Sequence, residues 1–116
     1  MSRRHPDQAR QAARERIVRI QEQIRTLDVL CSGTLAKRTK RCGQAACRCA
    51  RDPDARHGPY YEWGRMKGGK LVNRMVSPEQ AAVLRRAITN YRRVRRLLRV
   101  WEHQTVRLME PEKPRK

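Results

Sequence analysis

Between residues 42 and 57 three cysteines and a histidine fall in the order C-x4-C-x-C-x7-H: Cys42, Cys47, Cys49 and His57. These sixteen residues also contain Gly43 and Pro53, and Gly58-Pro59 follows directly. That composition breaks any continuous helix or strand and predicts a tight loop. Zinc takes such a donor set, with thiolates at about 2.3 Å and imidazole at about 2.0 Å, and closed structural sites use three cysteines and one histidine. Four protein ligands leave no open position for a reactive water, so a zinc knuckle here reads as structural and not catalytic. Cys31 is a second candidate for the fourth position, although it also falls where an apolar helix stripe would end. A redox pair would present C-x-x-C between a strand and a helix, a context absent here. Loop sulfur without a metal is the plain alternative.

A staple of this kind suits the rest of the chain. At 116 residues the chain is one domain's worth, spanning 1–116, and buries only about two-thirds of its unfolded surface. It has no Phe, and its aromatics are Tyr60, Tyr61, Trp63, Tyr91 and Trp101. With so few large anchors, a metal supplies order that the core lacks.

Two helical patterns flank the cluster. From Asp7 to Leu30, Ala13, Ile17, Ile20, Ile24, Leu27 and Cys31 recur at steps of four and three, which predicts a helix over 7–30. Cys31 would close its apolar seam. The second pattern begins at Ser77-Pro78-Glu79-Gln80, a Ser cap with Pro at the first helical position and Gln placed for a capping box. Leu84, Ala87, Tyr91, Val94, Leu98, Trp101, Thr105 and Leu108 follow at heptad spacing and predict a helix over 77–109. Two stripes of matching length predict an antiparallel helical hairpin of coiled-coil type. Residues 110–116, with Pro111 and Pro114, read as a flexible tail.

The head, 31–76, carries the strand signals. Residues 33–41 and 60–76 look extended, and Gly68-Gly69 between Lys67 and Lys70 is a two-residue hairpin turn. That turn sets Arg65 opposite Val72, Trp63 opposite Arg74 and Tyr61 opposite Val76 on one side. On the other side it sets Met66 opposite Leu71 and Glu62 opposite Met75. Trp63 beside Arg74 permits a cation-π contact. The fold expected is α+β: two long helices pairing as an antiparallel hairpin, with a small three-stranded antiparallel sheet and a zinc knuckle between them.

The residues also carry a resemblance. Leu35, Arg41-Cys42-Gly43, Cys47-Arg48-Cys49, His57-Gly58-Pro59-Tyr60-Tyr61, Gly68-Gly69-Lys70, Ser77-Pro78-Glu79 and Asn90-Tyr91-Arg92-Arg93 together resemble a family of short prokaryotic proteins of unknown function. Its members are similar in having a CG…CRC…HGPYY core followed by a long helix, and are often met near mobile genetic elements. The likeness covers about residues 32–100. It implies the Cys/His site without implying an activity. The position of Cys31 is often not cysteine in the family, which favours His57 as the fourth ligand.

Charge narrows the partners. There are 29 Lys and Arg against 11 Asp and Glu, a formal +18, and such a chain seeks polyanions. Around the cluster lie Lys37, Arg38, Lys40, Arg41, Arg48, Arg51 and Arg56; on the hairpin lie Arg65, Lys67, Lys70 and Arg74. The second helix adds Arg85, Arg86, Arg92, Arg93, Arg96 and Arg99 with only Glu79 and Glu102 to offset them. These cations predict salt-sensitive binding of DNA or RNA with little sequence information. Tyr60 is a candidate for stacking on unpaired bases, while Trp63 reads first as core. The rival expectation is an interaction module whose helical seam dimerises or binds an acidic or ribonucleoprotein partner.

Enzyme chemistry finds little footing. The carboxylates near the cluster are Asp52, Asp54 and Glu62, a weak basis for a two-metal nuclease, and His5 and His103 read as surface residues. The first seventeen residues hold cations but no apolar run of signal-peptide type, and no stretch is long enough to span a membrane. The expected location is the cytoplasm, at the nucleoid if DNA is the partner.

Overall fold

The computed structural model describes residues 6–110; His5 and the tail prolines Pro111 and Pro114 lie outside them. In order along the chain come α1 (Pro6–Arg25), β1 (Thr34–Lys40), β2 (His57–Lys67), β3 (Lys70–Val76) and α2 (Pro78–Met109). Two short 3-10 turns, Arg48–Ala50 and Pro53–Ala55, sit between β1 and β2. The α+β class and the three-stranded antiparallel sheet are as the sequence leads one to expect. The chain divides into two compact units, one from Val29 to Thr89 and one that joins the residues up to Asp28 with those from Asn90 onward.

The Val29–Thr89 unit is built on a sheet in the order β1-β2-β3, with β2 central. Every hairpin pair expected from the turn is present, from Lys67↔Lys70 to Tyr61↔Val76. Gly68 and Gly69 have φ of 58° and 78°, the left-handed pair that a tight two-residue turn requires. β1 lies against β2 with Leu35↔Trp63 and Lys37↔Tyr61. The core of this unit is Trp63, Leu84 and Ile88, with Cys31, Leu35 and Val76 packed against it. The indole N–H of Trp63 donates to the Ser32 carbonyl at 3.0 Å. Its ring carries the guanidinium of Arg65 at 4.2 Å from the centroid. Arg74 is thus the cross-strand neighbour of Trp63, but the ring is stacked by Arg65, two residues further along the same strand.

Gly33 is fixed by this packing. Its φ is 115°, and a Cβ there would collide with the Gly64 carbonyl and stand 2.7 Å from Trp63 Nε1. Gly33→Ala is expected to cost at least about 1–3 kcal/mol, the range for a strained non-glycine backbone alone. For a small unit that corresponds to a drop in Tm of about 5 °C or more by circular dichroism. An unchanged Tm would count against the packing described.

Two expectations about the helices are corrected. α1 ends at Arg25, short of Leu30. Thr26 Oγ1 donates to the Gln23 carbonyl at 2.7 Å, and Leu27 N to the Ile24 carbonyl at 3.1 Å, so the last turn tightens and stops. The following residues form a link in which Cys31 N donates to the Ala87 carbonyl at 3.3 Å. Cys31 therefore packs under Trp63 and does not close the seam of α1.

In α2 the inward positions also differ from those expected. Ser77 caps it reciprocally: Gln80 N donates to Ser77 Oγ at 3.0 Å and Ser77 N to Gln80 Oε1 at 2.9 Å. Leu84 and Ala87 are buried as read. Further along, in the other unit, Gln104 is buried and Leu97 half-buried, whereas Leu98 and Thr105 are exposed. At about 100° per residue Leu97 and Leu98 lie on opposite flanks of Trp101, and the flank holding Leu97 and Gln104 is turned inward. In the same unit α1 buries Ala13 and Ile20, and Arg93 Nη2 donates to Gln23 Oε1 at 3.3 Å. No helix among the described residues is long and apolar enough to cross a membrane.

Candidate metal centre

The loop between β1 and β2 folds its four donors onto one another. Gly43 has φ 85°, which lets the chain reverse immediately after Cys42. Cys47 N then donates to the Gln44 carbonyl at 3.1 Å, and Ala50 N to the Cys47 carbonyl at 3.0 Å, closing the turn that holds Cys47 and Cys49 two residues apart. Asp52 braces the next turn with both carboxylate oxygens. Oδ1 accepts from Asp54 N at 2.9 Å, and Oδ2 accepts from Arg48 Nε at 3.2 Å and Nη2 at 3.0 Å. The fourth donor comes from the start of β2, where His57 pairs with Lys40 across a break in register.

One ligand atom from each of Cys42, Cys47, Cys49 and His57 lies within 4.8 Å of every other. Cys49 Sγ is 3.5 Å from Cys42 Sγ, and Cys47 Sγ is 3.3 Å from His57 Nε2. A tetrahedron with Zn–S of about 2.3 Å and Zn–N of about 2.0 Å has edges of about 3.8 and 3.5 Å, so these two pairs would open slightly around an ion while the widest separations, up to 4.8 Å, would close. These four residues therefore lie close enough to hold a metal ion of zinc type. Cys31 is not among them. All four cysteines of the chain are free thiols.

The thiols differ in environment. The Cys49 backbone, with the Cys49 and Cys42 thiols adding, holds Cys47 below its ordinary value. The Cys42 N–H, 3.4 Å from the sulfur of Cys49, pulls that thiol down, but burial together with the Cys47 and Cys42 thiols outweighs it and raises Cys49. Cys49 is 1% exposed. Arg56, next to His57, keeps its Nε buried without a hydrogen-bond partner among the described residues.

The cations expected to meet phosphate are distributed unevenly. Lys37, Arg65, Lys67, Lys70 and Arg74 share the sheet side of Trp63 by register. No carboxylate among the described residues is paired with any of them. Arg38 points to the opposite side and is bound to Glu62 at 3.1 Å. Lys40 Nζ lies 5.6 Å over the ring of Tyr60. Arg41, Arg48 and Arg51 belong to the cluster loop, Arg48 being held by Asp52. On α2, Arg85 is exposed in the sheet-bearing unit, and Arg92, Arg93 and Arg96 are exposed in the other. The sequence reading passed over the other sheet side, where Met66, Leu71 and Met75 are all exposed. The hairpin pairs Met66–Leu71 and Glu62–Met75 were the available signal.

Neither the curated proteins nor the solved structures contain a match to the chain. A family model described as Domain of unknown function (DUF6788) matches residues 10–86. That span takes in most of α1, the Cys/His loop, the whole sheet and the first turns of α2, beginning earlier and ending earlier than the likeness over 32–100. Covering more than half of the sequence, this match establishes that the chain belongs to the DUF6788 family.

Proposed function

We propose that this protein is a small, non-enzymatic nucleic-acid-binding accessory whose sheet is stapled by zinc at Cys42, Cys47, Cys49 and His57. The observation that carries the reading is the cluster of Lys37, Arg65, Lys67, Lys70 and Arg74 on one side of the sheet without paired carboxylates among the described residues. Cations gathered in this way repel one another, and a phosphate backbone relieves that repulsion. The guanidinium of Arg65 lies over the Trp63 ring, and a guanidinium can meet phosphate by bidentate contact. The zinc is structural: it would tie the ends of β1 and β2 together, and with three thiolates and a neutral imidazole the centre carries one negative charge that a guanidinium such as Arg56 can offset. Asp52, braced on Arg48 and Asp54, is occupied in the loop's own hydrogen bonds.

The test is anisotropy titration of labelled DNA and RNA across a range of salt. Affinity should fall steeply with salt for unrelated sequences, and Arg65→Ala and Arg74→Ala should each reduce the slope of log K against log salt by about one. Absence of binding at low salt would remove the proposal. A second reading has its own observation: Leu98, Trp101, Thr105 and Val106 line an open groove of about 570 Å3 on α2. A helix from a partner or from a second copy would fill it, completing the coiled-coil pairing that the heptad spacing suggests. Association through that groove would persist at high salt and be lost in Leu98→Glu.

A further inference from the structure

The sheet has a second side with the opposite character. By register it presents Tyr60, Met66, Leu71 and Met75, which are 38%, 65%, 65% and 42% exposed. Its described ion pair, Arg38 with Glu62, cancels itself. In a chain of net charge +18, this is a neutral apolar floor beside a cationic surface. We infer that it is the platform for unpaired bases, so that the ligand is single-stranded nucleic acid and not duplex; the inference rests on the nucleic-acid reading above.

Three features favour bases over a protein partner. First, a cation flanks the floor. Lys40 lies over Tyr60 at one end. Tyr60 to Met66 spans six steps of strand, about 20 Å, which accommodates the two or three bases that a small sheet stacks. Second, the centre of the floor is polar. Gly64 lies between Glu62 and Met66 on this side and is buried, covered by Asn73 and Thr34: a Cβ there would stand 2.8 Å from Asn73 Oδ1 and 3.3 Å from Thr34 Oγ1. An amide and a hydroxyl set among exposed apolar side chains match a base, whose face is apolar and whose edge makes hydrogen bonds. A purely apolar protein contact has no use for them. Third, the apolar side chains gain nothing from a duplex, which buries its base faces, whereas every unpaired base offers one.

The experiment compares a labelled 12-nucleotide oligothymidine with a 12-base-pair duplex. Titrations use the full chain, Tyr60→Ala and Leu71→Ser at one salt concentration, each variant first matched to wild type in metal content and Tm. Tyr60→Ala should weaken single-strand binding by roughly tenfold, Leu71→Ser by a smaller factor, and neither should change duplex binding more than about twofold. Tight duplex binding with no loss of single-strand affinity in either variant would overturn the inference while leaving the proposed function standing. Binding of neither ligand would remove both. Unchanged single-strand binding with a shift from dimer to monomer in Leu71→Ser, seen by sedimentation, would assign the floor to a protein contact and overturn it as well. Retention of the single-strand preference in wild type and its loss in Tyr60→Ala is the supporting result.

Discussion

Cys49→Ser is expected to reduce bound zinc from one ion per chain to a small fraction of that, measured by elemental analysis of protein purified without a His tag. Cys49 is the buried member of the group, 1% exposed, with the Cys42 N–H and Cys42 Sγ both at its sulfur. A serine oxygen is a poor substitute for thiolate on zinc and too short to restore the geometry. Zinc supplies about 10–16 kcal/mol of apparent folding free energy in peptides that depend on it, so losing most of it leaves the loop from Arg41 to Arg56 without its organiser. Because thiols and imidazole must give up protons to bind, the wild-type affinity should fall as pH is lowered, and a chelator should reproduce the variant. Cys31→Ser is the control, since Cys31 packs against Trp63 and lies outside the ligand group; it should keep the ion. Full zinc in Cys49→Ser, or its loss in Cys31→Ser, would reassign the fourth ligand.

Much of this site was legible beforehand because it depends on local chemistry. The spacing of Cys42, Cys47, Cys49 and His57 pointed to these donors, with Cys31 left as the alternative fourth ligand, and the structure brings the first four together. The hairpin was equally readable: a two-residue Gly68-Gly69 turn leaves one register, and every pair from Lys67↔Lys70 onward follows. The Ser77–Gln80 box is likewise a contact between residues three apart.

What remained hidden depends on tertiary choice. Periodicity cannot separate Leu97 from Leu98 when both are leucine, and burial selects Leu97 only once the flank holding Gln104 turns inward. α1 ends at Arg25, where Thr26 and Leu27 close the last turn, and Cys31, which the stripe assigned to its seam, instead meets Ala87, 56 positions away in the chain. Arg65 and Arg74 were both neighbours of Trp63 in the strand pattern, and rotamer packing gave the ring to Arg65. The exposed floor of Met66, Leu71 and Met75 was missed because alternation tells which residues share a side but not whether anything covers it.

Trp63→Ala is expected to be the most damaging single change in the sheet-bearing unit. Trp63 is 7% exposed and, with Leu84 and Ile88, makes up the buried cluster there. Removing a buried Trp side chain costs about 3–5 kcal/mol, partly as lost transfer free energy and partly as the cavity left behind. The change also leaves the Ser32 carbonyl without its indole donor, adding about 1 kcal/mol. Set against a total stability of about 5–15 kcal/mol for an ordinary domain, that loss is large, and Tm should fall by about 15 °C or more. Trp63→Phe should recover part of it by keeping a ring under Arg65 while losing the hydrogen bond. Because Trp63 also stacks the Arg65 guanidinium at 4.2 Å, the Phe variant should bind nucleic acid more weakly than wild type at a temperature where both are folded. A Trp63→Ala protein that melts within a few degrees of wild type would mean that the staple at Cys42, Cys47, Cys49 and His57, and not the core around Trp63, holds this unit together.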